Sequence, residues 1–150
     1  MSDRGLTHVA LPVSNLENSI AFYAKYAGMR VVHRRPQREH PHRYVAWLSD
    51  LTRPFVLVLM ETTVEYPLGP FAHLGVACET RQEVDRLAAL ARDDGCFRDG
   101  PLGDIEQPAG YLVILADPDG HTLELSYGQN VGEAIRRARC TSPVREAPAP

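Results

Sequence analysis

The 150-residue chain reads as an α+β fold of two βαβββ modules whose four-stranded sheets curl into one eight-stranded cup. Three observations predict this. Strand-like runs and one helical stripe follow each other in the same order twice. The two passes stand at a nearly constant offset. The polar residues that interrupt the apolar strands share one parity.

The repeat is legible residue by residue. LTHVALPVSNLENSIAFYAKYAGMRVV begins at Leu6, and FAHLGVACETRQEVDRLAALARDDGCF begins at Phe71. Each opens on a short apolar strand with a His at its third position. A Ser/Thr-x-x-Glu capping box follows, Ser14 with Glu17 and Thr80 with Glu83, a pairing that satisfies orphan N–H groups at a helix start. Leu16, Ile20, Tyr23, Ala24 and Ala27 form the first helical stripe; Val84, Leu87, Ala88 and Ala91 form the second. Gly28 and Gly95 stop the helices. His8 to His73 is an offset of 65, Ser14 to Thr80 one of 66, and Gly28 to Gly95 one of 67.

The later strands repeat too. YVAWLSD (Tyr44–Asp50) matches YLVILAD (Tyr111–Asp117), and FVLVLME (Phe55–Glu61) corresponds to TLELSYG (Thr122–Gly128) with one residue of slippage. RVVHRR is the second strand of module one, and the repeat places its counterpart near CFRDGP. DPDG is a tight turn, because Pro presets φ and Gly accepts positive φ. A last helix over about 131–138 has Val131, Ala134, Ile135 and Ala138 as its stripe. Module one spans about 6–61 and module two about 71–127. A C-terminal helix and mobile tail fill 130–150, all in one domain.

The composition narrows the function. A 44% hydrophobic and 23% charged chain of this length can bury a real core. A net charge of −3 gives no electrostatic case for nucleic acid or anionic membrane as a partner. The N-terminus is too polar for a signal peptide, and no apolar run is long enough for a membrane span. Cys78, Cys96 and Cys140 form no CxxC, and a cytoplasmic, reducing setting is expected. Cys78 reads as a small core residue rather than a nucleophile.

Parity then assigns faces, because side chains alternate across a strand. Val9, Leu11 and Val13 go to the helix, leaving His8 and Ala10 opposite. Leu74 and Val76 go to the helix, leaving His73 and Gly75 opposite. Leu123 and Leu125 do the same and leave Thr122, Glu124 and Ser126 opposite. A carboxylate between two core leucines needs a positive partner. Two neutral imidazoles and one carboxylate on a concave face, with small neighbours, make a site for a divalent metal with open positions. His8, His73 and Glu124 are therefore the expected ligands. The basic run HRRPQREHPHRY (His33–Tyr44) stands at the mouth, where Arg35, His42 and Tyr44 are candidates for binding substrate. Tyr111 is a candidate proton donor.

The patterns HVALPVSNLENSIAFYAKYAGMRVV, HLGVACE and DPDGHTLEL resemble the vicinal oxygen chelate superfamily of glyoxalases, bleomycin resistance proteins and type I extradiol dioxygenases. The resemblance covers about residues 6–127. It implies paired modules that build a cup around a divalent ion (Fe²⁺, Mn²⁺, Ni²⁺ or Zn²⁺), often in a homodimer, and a small substrate that chelates the ion through neighbouring oxygens. It carries the family's ligands onto His8, His73 and Glu124. The sequence departs from the pattern in two places. The fourth ligand of the glyoxalases and epimerases falls at Val58 or Leu57, with Glu61 the nearest acid. The Tyr that dioxygenases and fosfomycin enzymes carry ten residues before the Glu is Ile114. Ligand count implies extradiol-dioxygenase-like chemistry. Glyoxalase-like lyase or isomerase, thiol transferase and bleomycin-resistance-type binding are the alternatives.

Overall fold

A computed structural model describes residues 3–105 and 110–141. The elements run β1 (His8–Val13), α1 (Leu16–Ala27), β2 (Arg30–Pro36), β3 (Tyr44–Ser49), β4 (Val56–Glu61), β5 (Leu74–Ala77), α2 (Arg81–Asp93), β6 (Phe97–Ile105), β7 (Gly110–Ala116), β8 (Thr122–Tyr127) and α3 (Val131–Thr141). They form two four-stranded sheets of the same topology, β1-β4-β3-β2 and β5-β8-β7-β6. In each, the first strand pairs parallel with the last, and the other pairings are antiparallel. The sheets stay separate and close no barrel, as an open α+β cup requires. No helix among the described residues is long and apolar enough to cross a membrane.

α1 and α2 each pack on the sheet of their own module. In module two, Val84, Leu87, Ala88 and Ala91 are all buried, as their spacing predicts. Thr80 Oγ1 accepts the Glu83 N–H at 3.1 Å, and the Glu83 carboxylate accepts the Glu79 N–H at 2.8 Å. That cap has the logic of the expected box. The helix closes with Cys96 N–H on the Ala91 carbonyl, a wrapped end that needs the left-handed backbone of Gly95, φ 73°.

Module one corrects the expectation. Asn15, not Ser14, caps α1, with Oδ1 accepting the Asn18 N–H at 2.9 Å. Ser14 is taken up by the other module: its N–H and Oγ both bind the Asp119 carboxylate. The buried stripe is also rotated. Ser19, Phe22 and Tyr26 are buried beside Leu16, Tyr23 and Ala27, whereas Ala24 is exposed and Ile20 half-buried. The cause is that α1 faces two partners at once. Tyr23 Oη donates to Asp117 Oδ2 at 3.0 Å and Tyr26 Oη to Asp94 Oδ2 at 2.6 Å, both in module two. Lys25 pairs with the same Asp94.

The DPDG turn is the other side of this joint. Asp117 and His121 are buried, at 4% and 1% exposure. Asp117 Oδ1 accepts the N–H groups of Asp119 and His121. His121 Nε2 lies 2.7 Å from the Pro12 carbonyl at the end of β1, and its Nδ1 accepts the Leu68 N–H at 2.8 Å. Since a carbonyl only accepts, Nε2 carries the proton and the ring is neutral. Burial, then the Asp117 charge and hydrogen bond, push the Tyr23 hydroxyl far above its ordinary range.

Two outer elements behave differently. β2 is exposed on both faces along its whole length. α3 extends three residues past the expected Ala138, and none of its side chains is buried. The tail beyond Thr141 lies outside the described residues.

Two measurements check this account. Tyr23→Phe leaves buried Asp117 one donor short and should lower stability by about 1–3 kcal/mol in urea unfolding. Burial, reinforced by Glu83 and opposed by Arg86, pushes the Cys78 thiol up to about 11. At pH 8 about one Cys78 thiol in a thousand is ionised. Exposed Cys140 should therefore alkylate first, with Cys78 labelling accelerating as pH rises towards 11, as read by peptide mass spectrometry.

Candidate metal centre

Register brings the first two candidates together. β5 runs parallel to β8 with Gly75 opposite Glu124, which places the residue before β5, His73, beside Glu124. His73 Nε2 stands 3.2 Å from Glu124 Oε2. The other ring nitrogen, Nδ1, is 2.6 Å from the Phe71 carbonyl. A carbonyl offers no proton, so Nδ1 is the donor and Nε2 of a neutral ring points its lone pair at the carboxylate. Lone pair against anion is repulsive unless a proton or a cation lies between them. The donor set thus suits a divalent ion, which accepts from both.

Glu124 is 6% exposed. Its second oxygen, Oε1, accepts from Gln129 Nε2 at 2.7 Å. Two residues on, Ser126 shares the face and is 2% exposed, and its hydroxyl has no hydrogen-bond partner among the described residues.

His8 stands on the other sheet, at the start of β1. Its Nδ1 is 3.0 Å from Thr7 Oγ1, and it is exposed. Among the described residues no three His, Cys, Asp or Glu side chains come together in one chain as a metal centre. Of the three candidates, His73 and Glu124 thus stand together and His8 stands apart on the other sheet. His8 borders a cleft of about 350 Å³ lined by Trp47, Phe55, Val32 and Arg53 among others. The His33 ring meets Trp47 edge-on at 4.8 Å, and the Arg35 guanidinium lies 5.4 Å from the Trp47 ring centre.

The remaining candidates divide by parity. Arg35 opposes Val45, on the same side of β3 as Trp47, and so lies on the helix-free face. His42 is exposed in the turn before β3. Tyr44 requires a correction: it packs against the helix-side core under the Arg34 guanidinium, so it does not line the cup. Tyr111 requires one too. Its hydroxyl donates to Asp85 of α2 at 2.5 Å, and that bond to a carboxylate raises its pKa. It stands on the helix side, on the face of β7 opposite the one that Ile114 shares with Glu124. Glu61 is also accounted for. Its carboxylate accepts the Tyr44 N–H at 3.1 Å and the Leu16 N–H at 3.5 Å, so it serves the start of α1. Ala10 opposes Val58 as Gly75 opposes Glu124, so Val58 is the residue matching Glu124. Ile114 lies directly opposite Glu124 on β7.

Sequence reasoning missed Gln129, Asp117 and His121. Gln129 had no signal beyond following a glycine. His121 closes the DPDG turn, and a His there with no alternation to explain it was the available hint.

The comparisons agree on the family. The model of the Glyoxalase/Bleomycin resistance protein/Dioxygenase superfamily matches residues 5–125. An uncharacterized protein of Pseudomonas aeruginosa is 38% identical over 131 residues, 85% of this chain and 91% of that one. A lactoylglutathione lyase of Salmonella typhimurium is 23% identical over 87% of this chain and 97% of its own length. The chain spans only 44% of the Arabidopsis thaliana lactoylglutathione lyase it matches. The fosfomycin resistance protein FosX of Listeria monocytogenes superposes with TM-score 0.68 at 18% identity, over 88% of this chain and 98% of that one. A variant of it was solved with Mn(II) and dihydroxypropylphosphonic acid. These structural likenesses carry the fold, and the family model and the Pseudomonas relative carry membership: the chain belongs to the glyoxalase/bleomycin resistance protein/dioxygenase superfamily.

Proposed function

We propose that the protein is a metal-dependent enzyme acting on a small substrate that presents two neighbouring oxygens. His73 and Glu124 of one chain and His8 of a second copy would hold the ion in a homodimer. The observation that carries this is the His73–Glu124 contact. Nδ1 is committed to a carbonyl, so the 3.2 Å approach of Nε2 to a carboxylate asks for a proton or a cation between them, and a divalent ion there can take a third donor as well. His8 adds a third donor that its own chain leaves on a separate sheet, which supports completion by a second copy.

A divalent ion bound there supplies Lewis-acid polarisation of a substrate oxygen. The chain's own residues do the rest. The Trp47, Phe55 and Val32 cleft beside His8 takes the substrate's apolar part and excludes water from it. Arg35 and Arg53 offer cations at its rim to an acidic substituent. Ser126 Oγ, unpaired and buried beside Glu124, offers a hydrogen bond to a substrate oxygen.

Ligand count alone favours extradiol dioxygenase chemistry. The names of the relatives, lactoylglutathione lyase and FosX, favour non-redox lyase, isomerase or transferase chemistry, and we take that reading first. Oxygen consumption with catechols, measured against loss of a hemithioacetal substrate, separates the two. A chelator-treated protein that loses no activity, or that only sequesters an aromatic compound, would leave the binding-protein reading.

Four outcomes are expected. Elemental analysis of purified protein should give a divalent metal. His8→Ala, His73→Ala and Glu124→Ala should each lose activity more than ~100-fold, beyond the range for outer-shell partners, whereas Tyr111→Phe should leave it unchanged. Mixing His8→Ala with His73→Ala protein, each inactive alone, should recover about a quarter of wild-type activity. A shared two-fold site predicts this because half the dimers are mixed and each has one intact centre. Quenching of Trp47, the one tryptophan, by added substrate should survive metal removal in weakened form.

A further inference from the structure

We propose that Gln129 is the positioning residue of this centre: it holds Glu124 as a one-oxygen ligand and so sets the affinity and geometry of the bound metal. The inference rests on the metal reading above.

The carboxylate has two oxygens and the structure gives them different tasks. Oε1 accepts from Gln129 Nε2 at 2.7 Å, and Oε2 is the oxygen facing His73 Nε2. An ionised carboxylate only accepts, so the amide must turn its NH₂ towards it. With Oε1 held by the amide, coordination through Oε2 alone is favoured over a two-oxygen grip on one ion. Coordination positions then stay open for substrate. The plane of Glu124 is fixed in advance, which matters because a glutamate side chain otherwise loses much rotamer freedom on binding.

The backbone is built to deliver this contact. β8 ends at Tyr127, and the chain reverses so that residue 129 reaches back to residue 124. The residues on both sides of Gln129 are left-handed, Gly128 at φ 90° and Asn130 at φ 52°. A non-glycine residue there is uncommon, and Asn is among the few that accept it. Asn130 then anchors the next element: its carbonyl accepts the Glu133 and Ala134 N–H groups at the start of α3. Gln129 is thus clamped between a strand end and a helix start, in a turn that serves no packing purpose for α3, whose side chains are all exposed.

Outer-shell partners of metal-ligating groups are worth about 10–100-fold in metal affinity. The test uses Co(II) alone, titrated into chelator-stripped full-length protein and followed by its visible absorption. Gln129→Met keeps the length of the side chain and removes the donor; Gln129→Ala guards against a packing artefact of Met. Both should bind Co(II) about 10–100-fold more weakly. Both should also show a changed absorption band as Oε1 is released to the ion. The thermal midpoint of the metal-free protein should stay within a few degrees of wild type, which a merely structural role would not allow together with the spectral change. Wild-type Co(II) affinity and spectrum in both variants would overturn the inference and leave the metal reading standing. Wild-type protein that binds Co(II) no better than His73→Ala would overturn the metal reading and this inference with it.

Discussion

The Asp117 carboxylate fixes how the two modules sit. A carboxylate at 4% exposure is tolerable only when its oxygens are filled with donors. Asp117 gets a phenol from α1 and two backbone N–H groups from its own turn. Because one donor belongs to module one, the demand of a single buried charge becomes a restraint on the joint. His121 repeats the restraint with an imidazole between Pro12 and Leu68. The contacts therefore gather on the helix side and at the turn, and His8 and Ala10 on β1 and Gly75 on β5 are left exposed on the faces that the helices do not cover.

A second buried carboxylate, Glu124, is treated differently. Asp117 is saturated by donors, whereas Glu124 has one amide donor and the His73 Nε2 at 3.2 Å. The contrast separates a structural acid from one left with unmet demand. Together with the orphaned Ser126 hydroxyl, it marks the helix-free face of β8 as the place where chemistry is unfinished. Helix-side polar groups such as Tyr111 and Glu61 are by comparison fully used.

The repeat, the strand faces and the second helix were legible because each rests on local periodicity. His8, Ala10, Gly75, Glu124 and Ser126 lie on the faces that alternation assigned them, and Val58 follows from the offset once register is known. What alternation cannot carry is a long-range partner. Ser14 resembles an N-cap, and only the presence of Asp119, 105 residues away, diverts it to the other module. The rotation of α1 towards Phe22 and Tyr26 has the same origin, since the sequence of a helix does not say that it will meet two surfaces. Gln129 was invisible because its contact depends on two left-handed residues whose φ values are set by the fold, not by composition.

β2 carries a consequence for solubility. A strand exposed on both faces at the rim of a sheet offers unpaired backbone groups to any other extended chain, a route to fibrillar growth. Its sequence resists this: Arg30, Arg34 and Arg35 bring mutual repulsion to any edge-to-edge approach, the irregularity between Val31 and His33 breaks the regular spacing, and Pro36 removes a donor at the end. The arginines of β2, Arg35 on the helix-free face and Arg34 beside Glu17 of α1, thus also keep neighbouring molecules from adding strands to the sheet.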